Sequence, residues 1–255
     1  MSARILNLGA YRFTTLDRLP ARRQALIDSA RLHGVKGTVL LAEEGINLFV
    51  AGPEPGVRAW LALLRADPLL AALDAKESWS DSLPFRHLRV KLKREIIRMD
   101  QPQVRPQSHG PGRAPAVDAA TLKRWLDAGR DDSGHEVLLL DTRNGFEVDA
   151  GAFEGAIDWR LKKFSDFPAA FAERRGELEG RTVVSYCTGG IRCEKAALAM
   201  QGAGLENVYQ LDGGVLRYFE QVPDASHWQG RCFVFDERAS LGPDLAPAVC
   251  SVNRP

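Results

Sequence analysis

Apolar and polar positions along the chain repeat with two different periods, and each change of period marks an element. From Arg4 to Arg12 the pattern is that of a short strand. A helical stretch opens near Pro20, which a first helical turn tolerates, and ends after His33 at Gly34. Val39-Leu40-Leu41 and Ile46 to Val50 flank Glu43-Glu44-Gly45 and predict two strands joined by a tight connection. Val57, Trp60, Leu61 and Leu64 fall at i, i+3, i+4 and i+7, one face of a helix that Pro68 stops. Leu88, Val90 and Leu92 alternate with Arg89, Lys91 and Lys93, a half-buried strand with a basic outer face. Further on, Asp118 can cap a helix carrying Leu122, Trp125 and Leu126, closed by Gly129. Val137 to Leu140, Thr182 to Tyr186 and Val208 to Leu211 are runs suited to strands buried on both faces. Phe167 to Glu177 and Glu194 to Gln201 read as the helices between them.

The first series, β-α-β-β-α-β, is the order of a ferredoxin-like (acylphosphatase-like) α+β unit, expected over residues 1–100. Residues 101–115, crowded with Pro, Gly and polar side chains, predict a linker. Helices interleaved with apolar strands over residues 116–222 predict an α/β domain with a parallel sheet, its site at the carboxyl ends of the strands. Residues 223–255 are then a C-terminal extension.

Composition changes this picture little. The formal charge of +1 gives no global bias toward nucleic acid or membrane, so a polyanion site must be a local patch. The start lacks the apolar run of a signal peptide, and no stretch approaches the ~20 apolar residues of a spanning helix, which points to a cytoplasmic protein without membrane association. The cysteines, Cys187, Cys193, Cys232 and Cys250, show no Cys-x-x-Cys spacing, so thiol chemistry is expected rather than disulfides or zinc.

The sharpest chemical signal is Tyr186-Cys187-Thr188-Gly189-Gly190-Ile191-Arg192-Cys193-Glu194-Lys195. A buried strand ends at Tyr186 and a helix is predicted from about Cys193. The glycines between let the backbone curl so that successive N–H groups turn toward the sulfur. Those amides, the positive end of the helix, Arg192 and Lys195 would all favour the thiolate of Cys187. The same cradle, Thr188 to Arg192, suits a persulfide, a thiosulfonate or a phosphate. Cys193 can serve as a resolving thiol or simply pack the helix start.

This loop resembles that of the rhodanese superfamily: Cys187 to Arg192 is Cys-x4-Arg, the sulfurtransferase length, one residue shorter than in the related phosphatases. Asp141-Thr142-Arg143 matches the family's Asp-x-Arg, Glu147 follows at the expected distance, and Leu211-Asp212-Gly213-Gly214-Val215 matches its closing turn. Ala152 stands where the family usually carries a histidine. Asp141 and Arg143 read as supports of the loop rather than reactants.

Two further motifs narrow the resemblance. Val35-Lys36-Gly37-Thr38-Val39-Leu40-Leu41-Ala42-Glu43-Glu44-Gly45-Ile46-Asn47 and His227-Trp228-Gln229-Gly230-Arg231-Cys232-Phe233-Val234-Phe235-Asp236-Glu237-Arg238 are similar to signatures of the rhodanese-type tRNA uridine hydroxylases. The resemblance implies oxygen-dependent hydroxylation of wobble uridine 34 of tRNA to 5-hydroxyuridine, with Cys187 catalytic, molecular oxygen as co-substrate and the anticodon region as partner. No further cofactor is identified, and a metal-binding tail beyond Cys250 is not expected. A sulfurtransferase working through a Cys187 persulfide is the alternative that the loop alone would suit.

The residues offer their own hint of RNA. Arg86, Arg89, Lys91, Lys93, Arg94 and Arg98 are opposed in their segment by Glu95 alone. On a strand, alternate residues stand ~6.5 Å apart, close to the phosphate spacing of a nucleic acid strand. Lys162 and Lys163 could extend this footprint. A base brought to Cys187 needs an aromatic or apolar platform, for which Tyr186, Trp159, Phe164 and Phe167 are candidates.

Overall fold

The computed structural model describes residues 4–108 and 114–248; Cys250 and the middle of the expected linker lie outside the described residues. The N-terminal half runs β1 (Ile5–Phe13), α1 (Leu19–Leu32), β2 (Lys36–Ala42), β3 (Gly45–Pro53), α2 (Glu54–Ala66), β4 (Asp74–Ser80) and β5 (Leu88–Leu92). Its sheet has the order β4-β1-β3-β2-β5. The first four strands pair antiparallel, as a ferredoxin-like unit requires, and β5 adds to the edge parallel to β2. The strand that completes the β-α-β-β-α-β series is therefore β4, which hydrophobic periodicity did not predict, and Leu88–Leu92 is an additional edge strand. Its Val90 is buried, while Leu92 at the strand end is exposed.

Local chemistry explains the other elements. Ala42 pairs directly with Gly45, so Glu43 and Glu44 form a two-residue hairpin turn. Val57, Trp60, Leu61 and Leu64 of α2 are buried against the sheet, and Asp67, extended as a residue before proline must be, ends the helix.

The second half contains β6 (Ala116–Val117), α3 (Ala119–Ala128), β7 (Val137–Asp141), α4 (Gly145–Val148), β8 (Gly151–Phe153), β9 (Ile157–Asp158), α5 (Phe167–Arg174), β10 (Thr182–Tyr186), α6 (Ile191–Gly202), β11 (Val208–Leu211) and α7 (Gly214–Gln221). Strands β6-β11-β10-β7-β9 form one sheet, parallel throughout. Asp118 caps α3 by accepting from the Thr121 amide at 2.7 Å, a contact worth ~1 kcal/mol. Near the linker, Val104 and Ala114 are buried in the apolar cluster beneath α5 and α6.

The last elements, β12 (Trp228–Gly230), β13 (Cys232–Phe233) and β14 (Ser240–Leu241), follow α7. β12 pairs with β8, and Trp228, Cys232, Val234 and Leu241 share a core with Phe153, Tyr186 and Tyr218. The extension then reaches across to the N-terminal sheet. Arg238 donates to Ser78 at 2.7 Å, the Glu237 amide to Pro84 at 3.2 Å, and Arg86 to Glu237 at 3.0 Å. No helix among the described residues is long and apolar enough to cross a membrane.

Candidate active site

Cys187 stands one residue beyond the carboxyl end of β10, the middle strand of the parallel sheet. Helix α6 begins at Ile191, two residues earlier than the sequence pattern suggests, so Arg192 already belongs to its first turn. Gly190, at φ 97°, makes the left-handed step between loop and helix. Its N–H donates to Cys187 Sγ at 3.1 Å, and the Arg192 and Cys193 amides also favour the thiolate form of the same sulfur. What turns these amides inward is the next helix. The Val215 and Leu216 amides at the start of α7 donate to the carbonyls of Cys187 and Thr188 at 3.0 and 3.1 Å, pulling the oxygens outward. This close approach explains Gly214: a Cβ there would lie 2.4 Å from the Cys187 carbonyl oxygen.

Electrostatics follow from that geometry. Burial pushes the Cys187 thiol up, but the Cys193 S–H, the Arg192 charge and the backbone amides outweigh it and bring it down to about 5. Cys193 moves the opposite way, held well above the ordinary thiol value by burial and by the neighbouring thiolate to which it donates. The Cys193 side chain thus favours the thiolate form of Cys187, and Thr142 Oγ1 lies 3.6 Å from the Cys193 sulfur.

Arg192 grips Glu147 through two bonds of 2.6 and 2.7 Å, both side chains buried. Glu147 also accepts from the Asn144 amide at 3.0 Å and from Thr188 Oγ1 at 3.4 Å, so α4 and the cradle share one carboxylate. Beneath it, the wholly buried Asp141–Arg143 pair closes at 2.5 Å, and Arg143 donates to the Gly151 carbonyl at 2.7 Å. Both therefore hold strand ends in place and do not reach the sulfur. Cys232 lies in the core with Phe153 and Tyr186, its thiol pushed up to about 12 by burial.

Lys195 departs from expectation. Its ammonium does not face the sulfur but crosses to the N-terminal domain, meeting Glu44 at 2.8 Å, Glu95 at 2.7 Å and the Ile97 carbonyl at 3.1 Å. Glu44 in turn accepts from the Ile96 amide at 2.7 Å. Nearby, Tyr11 of β1 donates to Glu194 at 3.1 Å, and Ile191 packs with Ala42 and Ile96. Two sequence motifs 150 residues apart, Glu43-Glu44-Gly45 and Cys193-Glu194-Lys195, thus meet in one latch that docks the domains beside the cradle.

Docking creates a cleft of about 730 Å³ with Cys187, Thr188, Gly189, Ile191 and Arg192 on its wall. Tyr11, Leu40, Phe49, Ile97, Phe164 and Phe235 supply apolar surface. Lys76, Lys93, Arg94, Arg98 and Lys163 supply positive charge, against Glu95 and Asp100. Of the basic candidates, Lys93 and Arg94 thus border the cleft, Arg89 and Lys91 lie on the exposed edge strand, and Arg86 is engaged by Glu237 away from it. The expected platform residues Tyr186, Trp159 and Phe167 are buried in the core; Phe164 alone of that group borders the cleft. Tyr11, Phe49 and Phe235 were not anticipated, because nothing in the local sequence connects them with Cys187. His227 bonds Asp127 at 2.7 Å and does not line the cleft. Among the described residues no group of three or more His, Cys, Asp or Glu is placed to hold a metal ion.

Residues 5–96 match the family described as UPF0176 acylphosphatase like domain, and residues 118–221 match the rhodanese-like domain. A protein of Bordetella petrii named tRNA uridine(34) hydroxylase is 59% identical over 96% of this chain and 95% of its own length. The chain belongs to the tRNA uridine(34) hydroxylase family. Relatives of the same name from Variovorax paradoxus and Delftia acidovorans are 58% and 57% identical, each over 95% of this chain and 90% of theirs. In this member of the hydroxylase family the acylphosphatase-like and rhodanese-like parts are joined by the latch at Lys195.

Proposed function

We propose that this protein hydroxylates uridine 34 of tRNA to 5-hydroxyuridine, with Cys187 as the reacting thiolate and the anticodon loop entering the cleft between the domains. The observation that carries this reading is the position of the cradle: its sulfur lies on the wall of an approximately 730 Å³ cleft with an apolar lining and a basic margin. A small inorganic sulfur donor needs only the loop; a nucleoside with its flanking phosphates needs the cleft as well. A sulfur held ionised at neutral pH is a competent nucleophile toward a pyrimidine ring, and the inward amides keep it so. The oxygen entering at C5 is drawn from molecular oxygen, two electrons and two protons from a reductant converting the second atom to water.

The test is nucleoside mass analysis of bulk tRNA from cells lacking the gene, complemented with wild type or Cys187→Ser. Loss of 5-hydroxyuridine-type nucleosides, rescued by wild type alone, is the expected result. Unchanged nucleosides together with thiosulfate:cyanide activity of the purified protein would replace this reading with sulfur transfer.

A further inference from the structure

Four phenylalanines from three parts of the chain gather beside the cleft, and the reaction proposed above uses only Phe49 and Phe235, as lining. Phe49 comes from β3, Phe146 from α4, and Phe233 and Phe235 from the C-terminal extension. Phe235 has its ring centre 6.4 Å from Phe49, 6.5 Å from Phe146 and 5.2 Å from Phe233. Phe146 and Phe233 are 5.1 Å apart.

The arrangement is not that of a core. Phe146 and Phe235 remain 49% and 48% exposed, the only aromatic rings among the large exposed apolar side chains of the described residues. Rings this close could have closed over one another. Instead Phe235 meets Phe146 at 87° and Phe233 at 79°, edge-to-face contacts that fix a ring without covering it. Phe49 and Phe235 also border the cleft that holds Cys187, where Lys93, Arg94 and Lys163 supply positive charge.

A fixed, half-exposed aromatic ring beside cations is the combination that single-stranded nucleic acid favours, because any base can stack on the ring while its phosphates meet the charge. A uridine drawn out of a stacked loop also leaves its neighbour without a stacking partner. We propose that Phe235, braced by Phe49, Phe146 and Phe233, is the stacking platform for an unstacked nucleobase adjacent to the target uridine. This rests on the tRNA reading and adds to it a second base subsite, built jointly by both domains and the extension.

The experiment uses the full-length protein and an anticodon stem-loop carrying 2-aminopurine at each base flanking the target in turn. Stacking on the wild-type protein should quench one of the two probes. Phe235→Leu, which keeps apolar bulk but removes the ring, should lose that quenching and weaken binding about 5- to 160-fold, with KM rising more than kcat falls. Phe235→Trp should restore both. A thermal melt controls for folding, which a half-exposed side chain should leave intact. If Phe235→Leu binds and quenches as wild type does, the platform is overturned while the hydroxylase reading stands. If the wild-type protein neither binds the stem-loop nor modifies tRNA, both are overturned together.

Discussion

Replacing Lys195 by methionine tests how far the two domains depend on one buried cation. The ammonium is 1% exposed at its side chain and faces Glu44, 10% exposed, and Glu95, 20% exposed. Methionine fills much of the same volume but leaves Glu44 charged and almost buried without its partner. Removing one member of a buried pair costs about 3–5 kcal/mol, well beyond what the pair itself contributes against an apolar replacement. In a chain of this size each kcal/mol lowers Tm by about 2–4 °C, so a fall of roughly 6–20 °C is expected. Far-UV circular dichroism measures it, and hydrogen exchange should rise around the Glu43–Glu44 turn and residues 93–97. Adding Glu44→Gln to Lys195→Met removes the orphaned charge while keeping an acceptor for the Ile96 amide, and should recover at least about 1 kcal/mol. A fall below about 2 °C with unaltered exchange would refute the reasoning, since the latch would then be ornamental to domain docking.

The thiol pair gives a second expectation. Cys193→Ala removes a donor to the Cys187 thiolate and should raise its pKa, whereas Cys193→Ser should hold it low; ultraviolet thiolate absorbance against pH reads this directly. Stability should vary with pH in the same sense. Because folding depresses the Cys187 pKa to about 5, the folded form is deprotonated where the unfolded thiol is not. Stability therefore rises with pH from about 5 toward the ordinary thiol value, is complete above it, and is lost as pH falls through 5; Cys187→Ser should flatten that slope in denaturant titrations. Gly214→Ala should disrupt the cradle, since its Cβ would stand 2.4 Å from the Cys187 carbonyl at φ +66°. Backbone strain alone costs about 1–3 kcal/mol, and a variant with unchanged Tm and unchanged hydroxylation would contradict the role given to this glycine.

Much of this molecule was legible because its helices and parallel strands bury apolar faces. The runs Thr182–Tyr186 and Val208–Leu211 match their strands residue for residue, and Asp118 and Gly129 bracket α3 as their chemistry requires. β4 was invisible for a physical reason. Its most buried positions are Lys76, Ser78 and Ser80, which face partners from elsewhere in the chain, so no apolar alternation betrays it. Lys76 lies 5.4 Å from the Tyr11 ring centre, Ser78 accepts from Arg238, and Ser80 accepts from Asn7. The cradle could be read because a cysteine, two glycines and an arginine at fixed spacing admit few geometries. Lys195 was misassigned for the opposite reason: a cation one turn into the helix can face the sulfur or the neighbouring domain, and only the placement of Glu44 and Glu95 decides between them. The aromatic wall, drawn from three distant segments, has no local spacing to detect.

The enclosure of the Cys187 sulfur bears on how long the protein stays usable. Persistent thiolates are the form that peroxides attack, and beyond the sulfenic stage the damage is essentially irreversible. Cys187 has no surface exposed to bulk solvent, and it borders the cleft on the wall it shares with Gly189 and Arg192, a route to the sulfur. An RNA loop seated there would stopper the route, shielding the nucleophile during turnover and leaving the idle protein as the more vulnerable form.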